Sequence, residues 1–274
     1  MPDTLRHLLR TPQGLIGGGI ILMALLAAIG GPAIAPFDPE AFHVRARFSG
    51  PGATYWLGTD QFGRDILSRI LAGARSTLFL AVAATALGTV AGAVLGTLSA
   101  FIGGWVDEAL MRIVDAVMAI PNLLFTLLIV TVLGASGVNA LIALGIAFTP
   151  GMARITRSVA LAVRQQDFVN AAVARGETGS FIVLREMLPN VVGPIIVEAT
   201  IRVAFAVMGL ATLSFLGLGA QPPSSEWGLM VAEARPYLFR NAWMMLFPGL
   251  AIALVAVAFN LFGDGLRDAL NPRA

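Results

Sequence analysis

Apolar positions in this chain run in long uninterrupted stretches, without the 3.6- or 2-residue spacing of half-buried helices and strands, and polar residues gather between them. An apolar stretch of at least about 18 residues matches a hydrocarbon core of about 30 Å, so the pattern predicts an all-α membrane protein with six transmembrane helices. The first span covers residues 14–36 and the second lies within 76–104. The uncharged stretch 116–151 divides at GASGVN, residues 134–139, into spans three and four, because a Gly/Ser/Asn run is a natural turn. Spans five and six lie within 191–219 and 241–263. The chain thus divides into an N-terminal segment 1–13, a first span 14–36, a polar connection 37–75, a membrane core 76–265 and a C-terminal segment 266–274. Inside the core one polar loop, 164–190, interrupts the apolar pattern.

The first span has two readings. Ala33, Ile34 and Ala35 resemble a signal-peptide cleavage site, but the apolar core is long for such a peptide and Pro36 opposes cleavage, which favours a retained anchor. With the N-terminus inside, Arg6, Arg10, Arg112, Arg154, Arg157, Arg164, Arg175, Arg185, Arg267 and Arg273 fall on the inner face. Arg45, Arg47, Arg64, Arg69, Arg75, Arg235 and Arg240 fall outside, a bias of ten to seven towards cytoplasmic termini and a cytoplasmic loop 164–190.

Composition supports the class: 57% of residues are hydrophobic and only 12% charged, with a mean hydropathy of +0.82, where a soluble domain carries about a quarter charged. The net charge of +2 comes from Arg alone, without a dense basic run interleaved with aromatics, so nucleic acid is not an expected partner. The absence of Cys excludes thiol chemistry, and His7 and His43 alone make no metal cluster, so neither a metal site nor a catalytic site is expected. Gly58 and Gly63 have the glycine spacing of a phosphate loop, but Arg64 and Asp65 follow in place of Lys and Ser/Thr.

The remaining polar and small residues carry paired readings. Glu198 and Arg202, four apart in span five, either face a translocation path together with Met208, Leu210 and Thr212, or form an ion pair at the membrane boundary. Asp107, Glu108, Arg112 and Asp115 read as a solvated helix start. The spacing of Ile66, Leu67, Ile70 and Leu71 predicts a helix along the outer surface, with Asp60, Arg64 and Asp65 on a solvated side. Pro121 and Pro150 kink spans three and four, as hinges or as accommodated bends. In 221–240 and just beyond it, Trp227, Tyr237 and Trp243 either meet an outer partner protein or anchor at the membrane interface. Gly88, Ala91, Gly92, Ala93 and Gly96 allow a close helix crossing, within the subunit or against another.

The loop 164–190 predicts helix, glycine turn, helix. Asp167 caps the first helix, Gly176 ends it in the left-handed region, and a second helix starts near Thr178 or Ser180 and stops before Pro189. Phe168, Ala171, Ala172 and Arg175 share a face of the first helix, suited either to a partner's groove or to the membrane surface.

This loop resembles the cytoplasmic coupling loop of bacterial ABC importer permeases, whose motif is Glu-Ala-Ala, three residues, Gly, and a spacer ending near Leu-Pro. Asn170, Ala171, Ala172, Gly176, Leu188 and Pro189 stand at those positions, with Asn170 in place of the usual Glu. WLGTDQFGRDILSRILAGARSTL (56–78), LSFLGLGAQPP (213–223) and FPGLAIALVAVAFNLFGDGLRDALNPR (247–273) are similar to segments of dipeptide, oligopeptide and nickel permeases, in the second or C-type membrane subunit. Leu210 replaces an acid usual in that family. The resemblance implies a type I ABC importer permease in the bacterial inner membrane. It also implies a homologous second permease subunit, two cytoplasmic ATPase subunits that bind ATP-Mg, and an extracytoplasmic solute-binding protein, with no cofactor bound by this chain.

Overall fold

The computed structural model describes residue 8 and residues 11–270. The expectations for Arg6, His7, Arg10 and Arg273, and most of the segment 1–13, lie outside the described residues. Among the described residues nine α-helices follow in order, with 3-10 turns not counted: α1 (Pro12–Ile34), α2 (Ile66–Ile102), α3 (Gly104–Met118), α4 (Asn122–Leu133), α5 (Gly137–Arg164), α6 (Asp167–Ala174), α7 (Gly179–Phe215), α8 (Trp227–Ala234) and α9 (Trp243–Leu270). Five of these, α1, α2, α5, α7 and α9, are long and apolar enough to cross a membrane. The expected third span is a broken one. Pro121 separates α3 from α4 and the two helices meet at 89°. At 12 residues, α4 is only about 18 Å long and does not cross a hydrocarbon core by itself. Pro150, by contrast, sits inside α5 without interrupting it.

The bundle is organised around α2 and α5, its most extensively packed pair. Gly88, Gly92 and Gly96 form the seam. A Cβ at Gly88 would lie 2.7 Å from the Gly145 carbonyl oxygen, at Gly92 2.4 Å from Met152 Cβ, and at Gly96 2.4 Å from the Ala153 carbonyl oxygen. The small-residue stripe is therefore used within the subunit. In a bilayer, where burial from water does not drive helices together, such close backbone approach is a main source of association. The principal core lies on the side where α2 begins and joins Ile66, Leu78, Leu144, Phe148, Val207, Leu210 and Leu213. A second core at the other end joins Met152 of α5 to Val169 and Ala172 of α6 and to Ile182, Met187 and Val191 of α7. Large apolar side chains such as Ile29, Val90, Val132 and Val257 remain exposed on the bundle's outside, as lipid or a neighbouring subunit requires.

The connection between α1 and α2 departs from expectation. Ile66–Arg75 is the start of the continuous 37-residue α2, not a separate surface helix. Asp60, Arg64 and Asp65 are buried, not solvated. Asp65 caps α2, accepting from the Ser68 amide at 2.8 Å and its hydroxyl at 2.7 Å. Asp60 Oδ2 accepts from Arg64 Nε at 2.6 Å and Arg69 Nη1 at 2.9 Å, and Glu233 Oε2 from the same two arginines at 3.0 and 3.1 Å. Two cations and two anions thus balance inside the fold, where a lone charge is costly. Gly58 and Gly63 adopt φ of +80° and +79° and press against the carbonyls of Ser49 and His43, which leaves no cradle for a phosphate.

Two further expectations are corrected. Trp227 is neither a partner contact nor an interfacial anchor but a core wedge: it is 3% exposed, and its indole N–H donates to the Ile70 carbonyl at 2.9 Å. Glu226 caps α8 through the amides of Gly228 and Leu229, and burial pushes its carboxyl above the usual carboxylate range despite those donors. Asp107 is not a solvated helix start. Its carboxylate takes both Arg157 Nε and Nη2, at 2.6 and 2.5 Å, and also Ser99 Oγ, tying α3 to α5 and α2.

Candidate functional site

The polar loop folds close to its expected plan. Helix α6 starts after Gln166, which caps without a side-chain bond, so Asp167 is the first helical residue and not the cap; its carboxylate still faces the positive end of the helix. The helix ends in a Schellman turn: Glu177 N–H donates to the Ala172 carbonyl, Gly176 N–H donates to that of Val173, and Gly176 takes φ +75°. Thr178 Oγ1 then accepts from the Phe181 amide at 3.3 Å and starts α7.

Helix α7 does not stop before Pro189. A π-helical turn over Ile182–Met187 widens the backbone there, and Leu188 and Pro189 continue into the span. Wider i→i+5 spacing accommodates the ring and the missing amide of proline, the usual obstacles to a helix at this point. The second half of the loop, from Gly179, and the fifth span are therefore one 37-residue helix.

On α6 the expected face divides. Phe168, Asn170, Ala171 and Arg175 are exposed, whereas Ala172 is fully buried with Val169 against Ile182 and Met187. Ala172 is small because α6 lies flat on its own subunit. Arg175 faces Glu177 and Glu186, each at 3.6 Å. Leu188 is half-buried against the second core, and Pro189 is exposed.

Higher on α7, Glu198, Arg202, Phe205, Met208 and Thr212 line one cavity of about 460 Å³, as residues three or four apart share a helix face. Leu210 does not belong to it; it points into the principal core and is 3% exposed. Asn122 and Thr126 of α4 and Phe148 of α5 complete the wall, and exposed Phe205 and Met208 mark the open side. Arg202 Nη2 and Glu198 Oε1 are 3.0 Å apart, and the Arg202 guanidinium lies 5.6 Å from the Phe148 ring centroid, within cation–π reach. The pair thus belongs to the cavity wall. Sequence reasoning missed the contribution of Asn122, whose position follows from the break at Pro121. Uncharged and next to a proline, it offered no signal beyond that break.

The comparisons with known proteins agree with this geometry. Residues 88–274 match the model of the family described as binding-protein-dependent transport system inner membrane component, and residues 2–51 that of the N-terminal TM domain of oligopeptide transport permease C. The chain is 41% identical over 264 residues to a protein named as a probable D,D-dipeptide transport system permease, DdpC of Escherichia coli K12, covering 96% of this chain and 89% of that one. It is 39% identical over 271 residues to the dipeptide transport system permease protein DppC of Alkalihalophilus pseudofirmus, covering 99% and 89%. A solved structure of the MetNI methionine ABC transporter in inward-facing conformations is similar in fold, with a TM-score of 0.60 and 19% identity over 74% of this chain and 97% of that one. With the family model covering more than half of its length, this chain belongs to the inner membrane components of binding-protein-dependent transport systems.

Proposed function

We propose that this chain is the permease subunit of an ATP-driven, binding-protein-dependent importer for short peptides or a related small solute. The observation that carries the reading is the continuity of α7. The second half of the polar loop, from Gly179, and the cavity-lining Glu198 and Arg202 belong to the same helix, and α6 is packed on that helix through Val169 and Ala172 against Ile182 and Met187, so a force on α6 reaches the cavity through packed helices. The names of the DdpC and DppC relatives support a dipeptide as cargo.

In this reading both termini and the loop 164–190 are cytoplasmic. Two partner ATPase subunits bind ATP-Mg and dock against the exposed Phe168, Asn170, Ala171 and Arg175, with Gly176, Leu188 and Pro189 setting the geometry behind them. A homologous second permease closes the open side of the cavity, and an extracytoplasmic binding protein delivers the solute. Closure of the ATPases then biases the spans between inward-open and outward-open arrangements.

Reconstitution of the chain with these partners tests the reading: dipeptide uptake is expected only with both ATP and the loaded binding protein. Uptake driven by an ion gradient with this chain alone would instead make it a secondary transporter. Gly176→Val is expected to leave the protein inserted while reducing uptake per ATP hydrolysed at least fivefold. Open space surrounds Gly176, but a β-branched residue resists φ of +75°, so the loop shifts without disturbing the bundle. Wild-type coupling in Gly176→Val would count against the docking geometry.

A further inference from the structure

The cavity along α7 has a neighbour. A second, smaller space of about 210 Å³ lies beside the break between α3 and α4, bordered by Met118, Pro121, Phe125 and Pro150. Arg202 and Asn122 line both spaces. The guanidinium rests against Gly151, where a Cβ would come within 2.9 Å of Nη2, so the absence of a side chain there makes room for it. Arg202 is thus a partition between two cavities, held by Glu198. Its Nε is buried and has no hydrogen-bond partner, which leaves one donor of the fork unused.

Resting on the transport reading above, we propose that Glu198 and Arg202 form the subsite that reads the two charged ends of a short zwitterionic solute, and that Arg202 is the partition this solute displaces. The charge balance carries the argument. An anion or a cation alone, entering beside the pair, leaves one charge uncompensated among apolar walls, which is costly. A zwitterion exchanges partners with the pair: its carboxylate takes the Arg202 fork, its ammonium takes Glu198, and four charges remain paired throughout.

In the closed pair the two charged groups are 3.0 Å apart, so Arg202 must swing away from Glu198 for a solute's two charged ends to enter between them. Phe148, Phe205 and Met208 accept side chains of differing shape by apolar contact, so the ends are read and the side chains are tolerated.

The test uses the complex of this chain with its permease and ATPase partners, nucleotide-free and without the binding protein, so that the binding protein's own selectivity does not enter. Saturation-transfer NMR compares dialanine, dialanine amide and N-acetyl-dialanine. Wild type is expected to saturate dialanine at least fivefold more than either blocked peptide. Arg202→Gln should lose the discrimination against the amide alone, Glu198→Gln that against the acetyl peptide alone, and Arg202→Lys should retain part of the first. If either neutral variant fails to assemble, the other tests the pair from its own end. Equal saturation of all three peptides in wild type, or uniform loss in both variants, would overturn the subsite and leave the transport reading intact. A wild-type complex that takes up no solute with ATP and loaded binding protein would instead remove the transport reading, and the subsite with it.

Discussion

Replacing Gly92 with Val is expected to reduce the folded subunit recovered from membranes at least tenfold. The α2–α5 seam has no slack at this point. The new Cβ would sit 2.4 Å from Met152 Cβ and 2.8 Å from the Ala153 backbone nitrogen, so a helix backbone, not merely a flexible side chain, must give way. Overpacking a core costs about 1–3 kcal/mol where side chains can adjust. Here the two helices must part, and contacts at Gly88 and Gly96 loosen with them. Gly19→Val on α1 makes the same change of residue in a helix, but a Cβ there meets nothing within 4 Å. That variant is expected to accumulate as wild type does. Size-exclusion profiles of detergent extracts compare the two, and equal recovery of both would show that the seam does not hold the fold.

Asp60→Ala is expected to lower the thermal midpoint of the purified protein on the order of 10 °C, corresponding to a loss of about 3–5 kcal/mol. Removing this carboxylate leaves Arg64 and Arg69 sharing Glu233 alone, with Arg69 only 2% exposed. One uncompensated positive charge in the buried cluster, rather than the lost attraction, is the dominant cost. The double variant Asp60→Ala/Arg69→Met restores balance, because Arg64 and Glu233 remain paired at 3.0 Å. It is therefore expected to be more stable than Asp60→Ala by at least about 1 kcal/mol. A double variant no better than the single would show that geometry, and not charge balance, is what the cluster supplies.

These two sites differ in how far the sequence reveals them. The glycine stripe is visible as a spacing, and only its partner helix was open, since one chain's pattern does not say which surface meets it. The spans, the Gly176 turn and the Thr178 start are legible because each rests on local chemistry: apolar length, φ freedom and a hydroxyl at a helix start. Asp60 and Arg64 read as solvated because the fourth member of their charge cluster, Glu233, lies more than 160 residues away. Asp107 misled for the same reason, with Arg157 fifty residues on. The helix through Pro189 was hidden by a local rule that a π turn circumvents. On the cavity face, the four-residue spacing puts Glu198 and Arg202 on one side of the helix, whereas Met208, Leu210 and Thr212 rest only on their place in span five, and Leu210 turns into the principal core instead.

That π turn has a consequence for phase. Each residue of an α-helix advances the face by about 100°. A turn closed by i→i+5 bonds holds about one more residue than one closed by i→i+4 bonds, so Ile182–Met187 takes up an extra residue with little net rotation. Deleting one residue within it would restore an ordinary helical period and leave Glu198 and Arg202 on the cavity wall, whereas a deletion in the α-helical stretch just beyond would rotate them by about 100°. The turn is thus the one place in this helix where a change of length and a change of facing come apart.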